Sequence, residues 1–400
     1  MKLIHICALL MSVGLASCKP SEASKDRRTA STGTGVAAAA TGTTAIEPQF
    51  AYASAFEDGL ALVKVGSGPA AMEGYVDTRG TFKINPTYTD AESFSEGLAA
   101  VNIPSGQESR WGFIDTSGKL VIEPQFSSVT EFDDGVSIVK IGDFRTGKMG
   151  VIDKQGRFLL NPQYDLLMYM GEDRFLFRTA GPDTPYGIID GRGKIVAEPQ
   201  FKNLGSLKDG LAAVTIGNGD KAMCGYADRD GKIVINPRFI RCKSFNEGFA
   251  AVGAVHEGKG GWGYIDRSGN FVVKPHYPAV QAFSDGLAAV AIGDSEESGK
   301  WGFIDKRGVM VITPQFDEVY SFRNGYAVVR VGGGGGSQGQ DEVMSQYVEG
   351  KKIAAGKWGV VDKQGRYVLN PRFDSLQPGE KVLPMRVGDH LTGKWGFVHL

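Results

Sequence analysis

Few residues in this chain could do chemistry, and their spacing argues against it. His256, His276, His390 and His399 fall in separate stretches with no metal-ligand spacing between them, so neither a metal centre nor a histidine acid–base pair is expected. No nucleophile elbow, phosphate-cradling glycine loop or paired-cysteine zinc motif occurs. Asp228-Arg229-Asp230-Gly231 has the start of a calcium loop but lacks the downstream acidic ligand. Aspartates at this position recur in regular phase, which marks them as turn formers. No catalytic residue, cofactor or metal ligand is therefore assigned, and the expectation is a protein that is not an enzyme. Cys224 and Cys242 are the other reactive pair. Both are expected to face a core, with buried free thiols as the expected state and a disulfide between them as the alternative.

The elements behind these residues are set by a repeat. Trp111-Gly112-Phe113-Ile114-Asp115 returns as Trp262-Gly263-Tyr264-Ile265-Asp266, Trp301-Gly302-Phe303-Ile304-Asp305 and Trp358-Gly359-Val360-Val361-Asp362. Weaker copies start at Glu73, Met149, Tyr186 and Cys224, and the last begins at Trp395. The glycines recur every 37 to 39 residues with one exception, the long step from Gly302 to Gly359. All five tryptophans, Trp111, Trp262, Trp301, Trp358 and Trp395, occupy this one position. A fixed period of this size means units that bury their apolar faces only by stacking on neighbours.

Within a unit, Trp111 to Asp115 alternates as a half-buried strand does. Asp115-Thr116-Ser117-Gly118 has the residue preferences of a type I turn, and the same Asp/Gly spacing recurs in seven other units. The return strand from Lys119 is expected to stop at Pro124, since proline cannot donate a ladder hydrogen bond. Aromatic rings follow, as at Phe126 and Phe132, and then an acidic or polar residue, Gly and an apolar run open a third strand, as in Asp285-Gly286-Leu287-Ala288-Ala289-Val290. A loop of about ten residues is expected to lead to the next Trp-Gly. The tryptophans and rings read as inter-unit core; exposed rings that stack on glycans are the rival reading. Met149, Tyr186 and Cys224 at the same position favour core, because they fill space but stack poorly on sugars.

These strings resemble the WG-repeat (KWG-repeat) family of bacterial proteins over essentially all of 45–400. The resemblance rests on Trp-Gly-aromatic-aliphatic-Asp, the turn glycine, the Pro-x-aromatic step and the Asp/Glu-Gly-Leu-Ala-x-Val string. It implies a repeat fold and carries no catalytic residues.

Two segments stand outside the repeat. Residues 1–17 have the outline of a secretory signal, and Leu15-Ala16-Ser17-Cys18 resembles the bacterial lipobox, which implies lipidation of Cys18. Residues 18–44, rich in Ser, Thr, Ala and Gly, have little to bury and read as a disordered tether. The array is 45–400, with an inserted loop at 332–356 in which Val343, Met344, Tyr347 and Val348 keep helix-like spacing.

The expected fold is all-β: a tandem array of about nine three-stranded β-meander units. An open, curved superhelix is favoured over a closed, propeller-like toroid, because nine blades would be many and three strands per blade few. A net charge of −1, with Lys and Arg spread through all units, advertises no nucleic-acid partner. The expected function is a non-catalytic cell-envelope lipoprotein, membrane-anchored on the periplasmic side or exposed at the surface, that binds a protein or peptide. A glycan- or peptidoglycan-binding protein is the second reading, and an envelope hydrolase with a loop-built site the third.

Overall fold

The computed structural model describes residues 42–400 apart from 106–107, 144, 180, 182–183, 218, 257, 294–298, 333–346, 349–350, 353–355 and 389–392. Cys18, the signal segment and nearly all of the tether lie outside the described residues, as do Val343 and Met344. Tyr347–Val348, whose spacing allowed a short helix, pairs with Lys351–Lys352 as a minimal hairpin.

Consecutive strands pair antiparallel into nine small sheets. Blade 1 is Tyr52–Glu57, Leu60–Val65, Met72–Asp77 and Phe82–Tyr88 in that spatial order. Blades 2 to 8 repeat it, ending at Phe126, Tyr164, Phe201, Phe239, Tyr277, Phe316 and Phe373. Seven of the nine sheets have four strands; in blades 2 and 5 the first strand is reduced to isolated bridges such as Ala91 to Val101 and Leu204 to Val214. Blade 9 takes Ser375–Leu376, Val382–Val387 and Lys394–His399 from the C-terminal end and its fourth strand, Thr44–Phe50, from the other end of the chain.

That last pairing closes the ring. Nine clusters of buried apolar side chains fill successive interfaces, and one of them packs Ile46, Phe50, Trp395 and Phe397 of blade 9 on Ala53, Ala61, Val63 and Val76 of blade 1. The fold is thus a nine-bladed β-propeller of four-stranded sheets, which corrects both the open superhelix and the three-stranded unit expected from the sequence. The missing strand lies between the Pro-x-aromatic step and the acidic-Gly run, a stretch read from the sequence only as a pair of rings: it is only two residues long in blades 3, 8 and 9. So short a strand carries no alternating pattern.

The proline does not end the return strand either. Leu120–Phe126 runs through Pro124 on a bulge: Trp111 pairs with Phe126 and Phe113 with Ile122, so four residues span the distance of two. The bulge presses backbone onto the neighbouring strand. A Cβ on Gly112 would lie 2.6 Å from the Ile122 carbonyl oxygen and 3.0 Å from the Pro124 nitrogen, which is why glycine follows the tryptophan.

Between blades, the third residue of each Trp-Gly string does most of the filling. Tyr75, Phe113, Tyr264, Phe303 and Phe397 are essentially inaccessible. Each meets a ring of the next blade, with centroids 4.8 Å apart for Tyr75–Phe94 and 4.9 Å for Phe113–Phe132. Buried tyrosines also need a partner, and the hydroxyls of Tyr75, Tyr226 and Tyr264 donate to the carbonyls of Glu92, Lys243 and Gln281 at 2.6–2.7 Å. Each of those carbonyls lies in the first-strand segment of the following blade. Further bonds link these segments directly, Gln281 Nε2 to the Val319 carbonyl at 2.8 Å and Ser284 Oγ to the Phe322 carbonyl at 2.6 Å. First strands this close in successive blades are the ones nearest the axis.

The repeated aspartates are turn formers. Asp115 Oδ1 accepts the amides of Ser117 and Lys119 at 2.9 and 3.0 Å, and the Gly118 N–H closes the turn on the Asp115 carbonyl at 2.9 Å. Asp77 is the most perturbed: burial alone would raise it, but the Thr81 and Arg79 amides, with Lys83 and the Arg79 guanidinium, hold its carboxyl down at about 2. Asp153, Asp190, Asp305 and Asp362 are lowered too. A carboxyl depressed on folding adds stability above its unfolded pKa of about 3.9, and that stability is lost as pH falls through the folded value. Melting temperature should therefore hold from neutrality to about pH 5 and fall between about pH 4 and 2, as circular-dichroism melts across that range would register.

Candidate functional site

Because the strands run antiparallel, the turn between first and second strands and the turn between third and fourth strands lie on the same face of the ring. On that face the first turn of blades 1–3 and 5–7 is an acid–glycine pair with both residues at positive φ, as for Asp58 (50°) and Gly59 (80°), the geometry of a type I′ hairpin, and blade 8 has Asn324-Gly325 in the same conformation. The acid side chain does not stay in its own blade. Asp58 accepts the amide of Gly97 at 2.6 Å, Glu96 that of Gly135 at 3.0 Å, Asp209 that of Gly248 at 2.7 Å and Glu247 that of Gly286 at 3.0 Å. Each bond spans 39 residues and latches one blade to the next. A cation from the third-to-fourth-strand turn of the next blade steadies two of these acids, Lys154 on Glu96 at 2.8 Å and Lys306 on Glu247 at 3.0 Å.

Blade 4 breaks this grammar. Its turn is Glu172-Asp173, both at positive φ (54° and 58°), so Asp173 holds a backbone conformation that glycine holds elsewhere. Its side chain accepts the Gly191 amide at 3.0 Å. Asp134 of blade 3 accepts the Tyr169 hydroxyl at 2.7 Å, where the other acids take a glycine amide. Burial raises the Tyr169 pKa, and the hydrogen bond to Asp134 adds to the shift, so the hydroxyl stays a donor.

The consequence is a cleft of about 430 Å³ lined by Asp134 and Val136 of blade 3, Tyr169, Glu172, Asp173 and Phe175 of blade 4, and Arg229 of blade 5. Its walls are cross-tied. Arg229 donates to the Glu172 carbonyl at 2.8 Å, and Arg174 donates to the Arg229 carbonyl at 3.2 Å and pairs with Asp230 at 3.1 Å. The cleft can offer two aromatic walls, carboxylates and one guanidinium to a polar chain. Among the described residues no three His, Cys, Asp or Glu side chains come together at metal-binding distance.

The residues singled out in the sequence lie elsewhere. Trp301, Trp358 and Trp395 are buried at 7%, 2% and 4% exposure, while Trp111 and Trp262 are half-buried. Lys243 Nζ lies 5.0 Å from the centre of the Trp262 ring. Three of the five indoles therefore have no face free for a sugar. Cys224 and Cys242, expected as buried free thiols with a bridge as the alternative, are instead joined as a disulfide between the third strand of blade 5 and the first strand of blade 6. Sequence reading passed over the acid latches because their partners are a full repeat away. Glu172-Asp173 stands where other units carry an acid and glycine, but nothing local in the sequence points to Tyr169.

The family model for the WG containing repeat matches nine segments, 40–67, 74–103, 111–143, 149–181, 186–219, 225–253, 262–294, 301–334 and 358–378. The chain belongs to the WG-repeat family. No curated protein matches it. Among solved structures it is similar to the acylaminoacyl peptidase of Pyrococcus horikoshii (11% identity, TM-score 0.33, 70% of this chain and 57% of that one). It is also similar to a prolyl endopeptidase (10%, TM-score 0.39, 72% and 54%) and to the uncharacterized protein lmo1340 of Listeria monocytogenes EGD-e (9%, TM-score 0.38, 81% and 94%). The chain spans little more than half the length of those two peptidases. At such identities and scores, these likenesses carry no function over to this chain.

Proposed function

We propose that this WG-repeat propeller is a non-catalytic binding scaffold that docks a protein or peptide partner on its acid-latched face, in the cleft between blades 3 and 5. The observation that carries this reading is the break at blade 4, where an acid–acid turn stands in place of the acid–glycine pair of blades 3 and 5. Blade 4 accepts two successive non-glycine residues at positive φ, which costs about 1–3 kcal/mol each. It thereby sets aromatic and charged groups around a concavity, while the turns beside it stay regular. The scattered histidines favour binding over hydrolysis. Lipidation of Cys18, with 18–44 as tether, would hold the ring at the bacterial cell envelope and present this face to envelope proteins.

The test is retention on immobilised protein, using solubilised envelope proteins in one arm and purified cell-wall polymer in the other. A protein or peptide should be retained, and Asp173→Gly with Arg229→Ala should weaken its binding by about tenfold or more. Retention of the polymer alone, or binding unchanged in the double variant, would overturn the assignment.

A further inference from the structure

From blade 1 to blade 8 the Trp-position side chain follows one rule: it packs with the residue 18 positions later, in the first-strand segment of the next blade, while Trp395 of blade 9 packs with Ala53 of blade 1. Trp111 and Val129 share a core cluster, as do Trp262 and Val280, Trp301 and Val319, and Trp358 and Leu376. The rule survives substitution. Glu73 accepts the Ala91 amide at 2.7 Å, and Met149 sulfur accepts that of Leu167 at 3.3 Å. Cys224 and Cys242, also 18 residues apart, are the covalent version of the same contact.

We infer that this bridge makes the seam between blades 5 and 6 redox-sensitive, so that the ring's order there depends on the thiol balance around it. At other seams a large side chain fills the contact; here two small ones do so only because they are bonded. A dithiol reductant would attack through Cys242, which is half-buried, whereas Cys224 is 4% exposed. The S–S bond breaks, Cys224 and Cys242 each gain one electron and one proton, and the reductant leaves as its own disulfide. The two thiols that remain are too small to replace an indole, and the seam loses its tie.

The strand that carries Cys224, Met223–Asp228, leads directly into Arg229 and Asp230, which close the blade 5 side of the cleft. Reduction should therefore loosen that wall as well. Control of binding by this route rests on the cleft being the docking site; the loosening of the seam does not.

The experiment needs no partner. Intact mass after alkylation, with and without prior reduction, counts the thiols. Melting and amide exchange are then compared with and without dithiothreitol in the full chain, in Cys224→Ser, and in the double variant Cys224→Trp with Cys242→Val, which restores the contact used at Trp262 and Val280. Reduction should lower the melting temperature by roughly 4 °C, the effect of opening a loop of this size in a chain this long. It should also speed exchange at 223–230, while Cys224→Ser melts low in both conditions and the double variant melts near the oxidised chain regardless of reductant. Melting and exchange unaffected by full reduction, or a double variant as unstable as Cys224→Ser, would sink the proposal.

Discussion

A chain that begins at Ala51 should fail to form a stable ring, whereas one that begins at Gly42 should melt within about a degree of the full-length protein. Residues 44–50 supply the fourth strand of blade 9 and are part of the core at its seam with blade 1. Ile46 and Phe50 are 6% and 3% exposed, and the Phe50 ring lies edge-on to Phe82 of blade 1 at 6.2 Å and to Phe397 of blade 9 at 6.5 Å. Removing these two side chains alone forfeits roughly 3–6 kcal/mol of apolar burial, a large share of the 5–15 kcal/mol that holds a typical domain together. It also exposes the Lys394–His399 strand as an unpaired edge. Thermal melting and gel filtration would show the outcome as early unfolding with aggregation of the shorter chain. An intact, monomeric ring from a chain lacking 44–50 would mean that closure is not what stabilises the array.

Closure is also where the expectation of an open superhelix failed, for a physical reason. A repeat that starts at the proline step and a ring that zips its two ends together place identical residues at identical spacing. Only the pairing of Ile46 with Phe397 and Phe50 with Trp395 separates them. Local features fared better. The Asp115 turn and the burial of Phe126 and Phe132 follow from residue type and phase, and each appears as expected. Pro124 misled because a two-residue bulge lets a strand run on past a residue that cannot donate. The acid latches were invisible for the opposite reason: Asp58 reads as an ordinary turn residue, and its partner Gly97 sits a whole repeat away. The cleft inherits that blindness, since it exists only where Asp134 meets Tyr169 across a blade boundary.

Gly112→Ala should be among the most damaging single changes in the ring, although it adds one methyl group to an exchange that is neutral in most strands. The new Cβ would sit 2.6 Å from the Ile122 carbonyl oxygen and 3.0 Å from the Pro124 nitrogen, both backbone atoms of the paired strand. No rotamer change relieves a clash with backbone, so the bulge must open or the two strands must part. Either response pulls Phe113 away from Phe132, at present 4.9 Å between ring centres, and disturbs the seam between blades 2 and 3. A cost of about 3 kcal/mol or more follows, at the upper end for overpacking. Gly260→Ala is the control: nothing lies within 4 Å of its Cβ position, and a change within about 0.5 kcal/mol is expected. Urea unfolding of the two variants against the parent measures the difference. If both substitutions prove equally mild, the glycine beside each tryptophan must be retained for something other than the room it leaves for the opposing backbone.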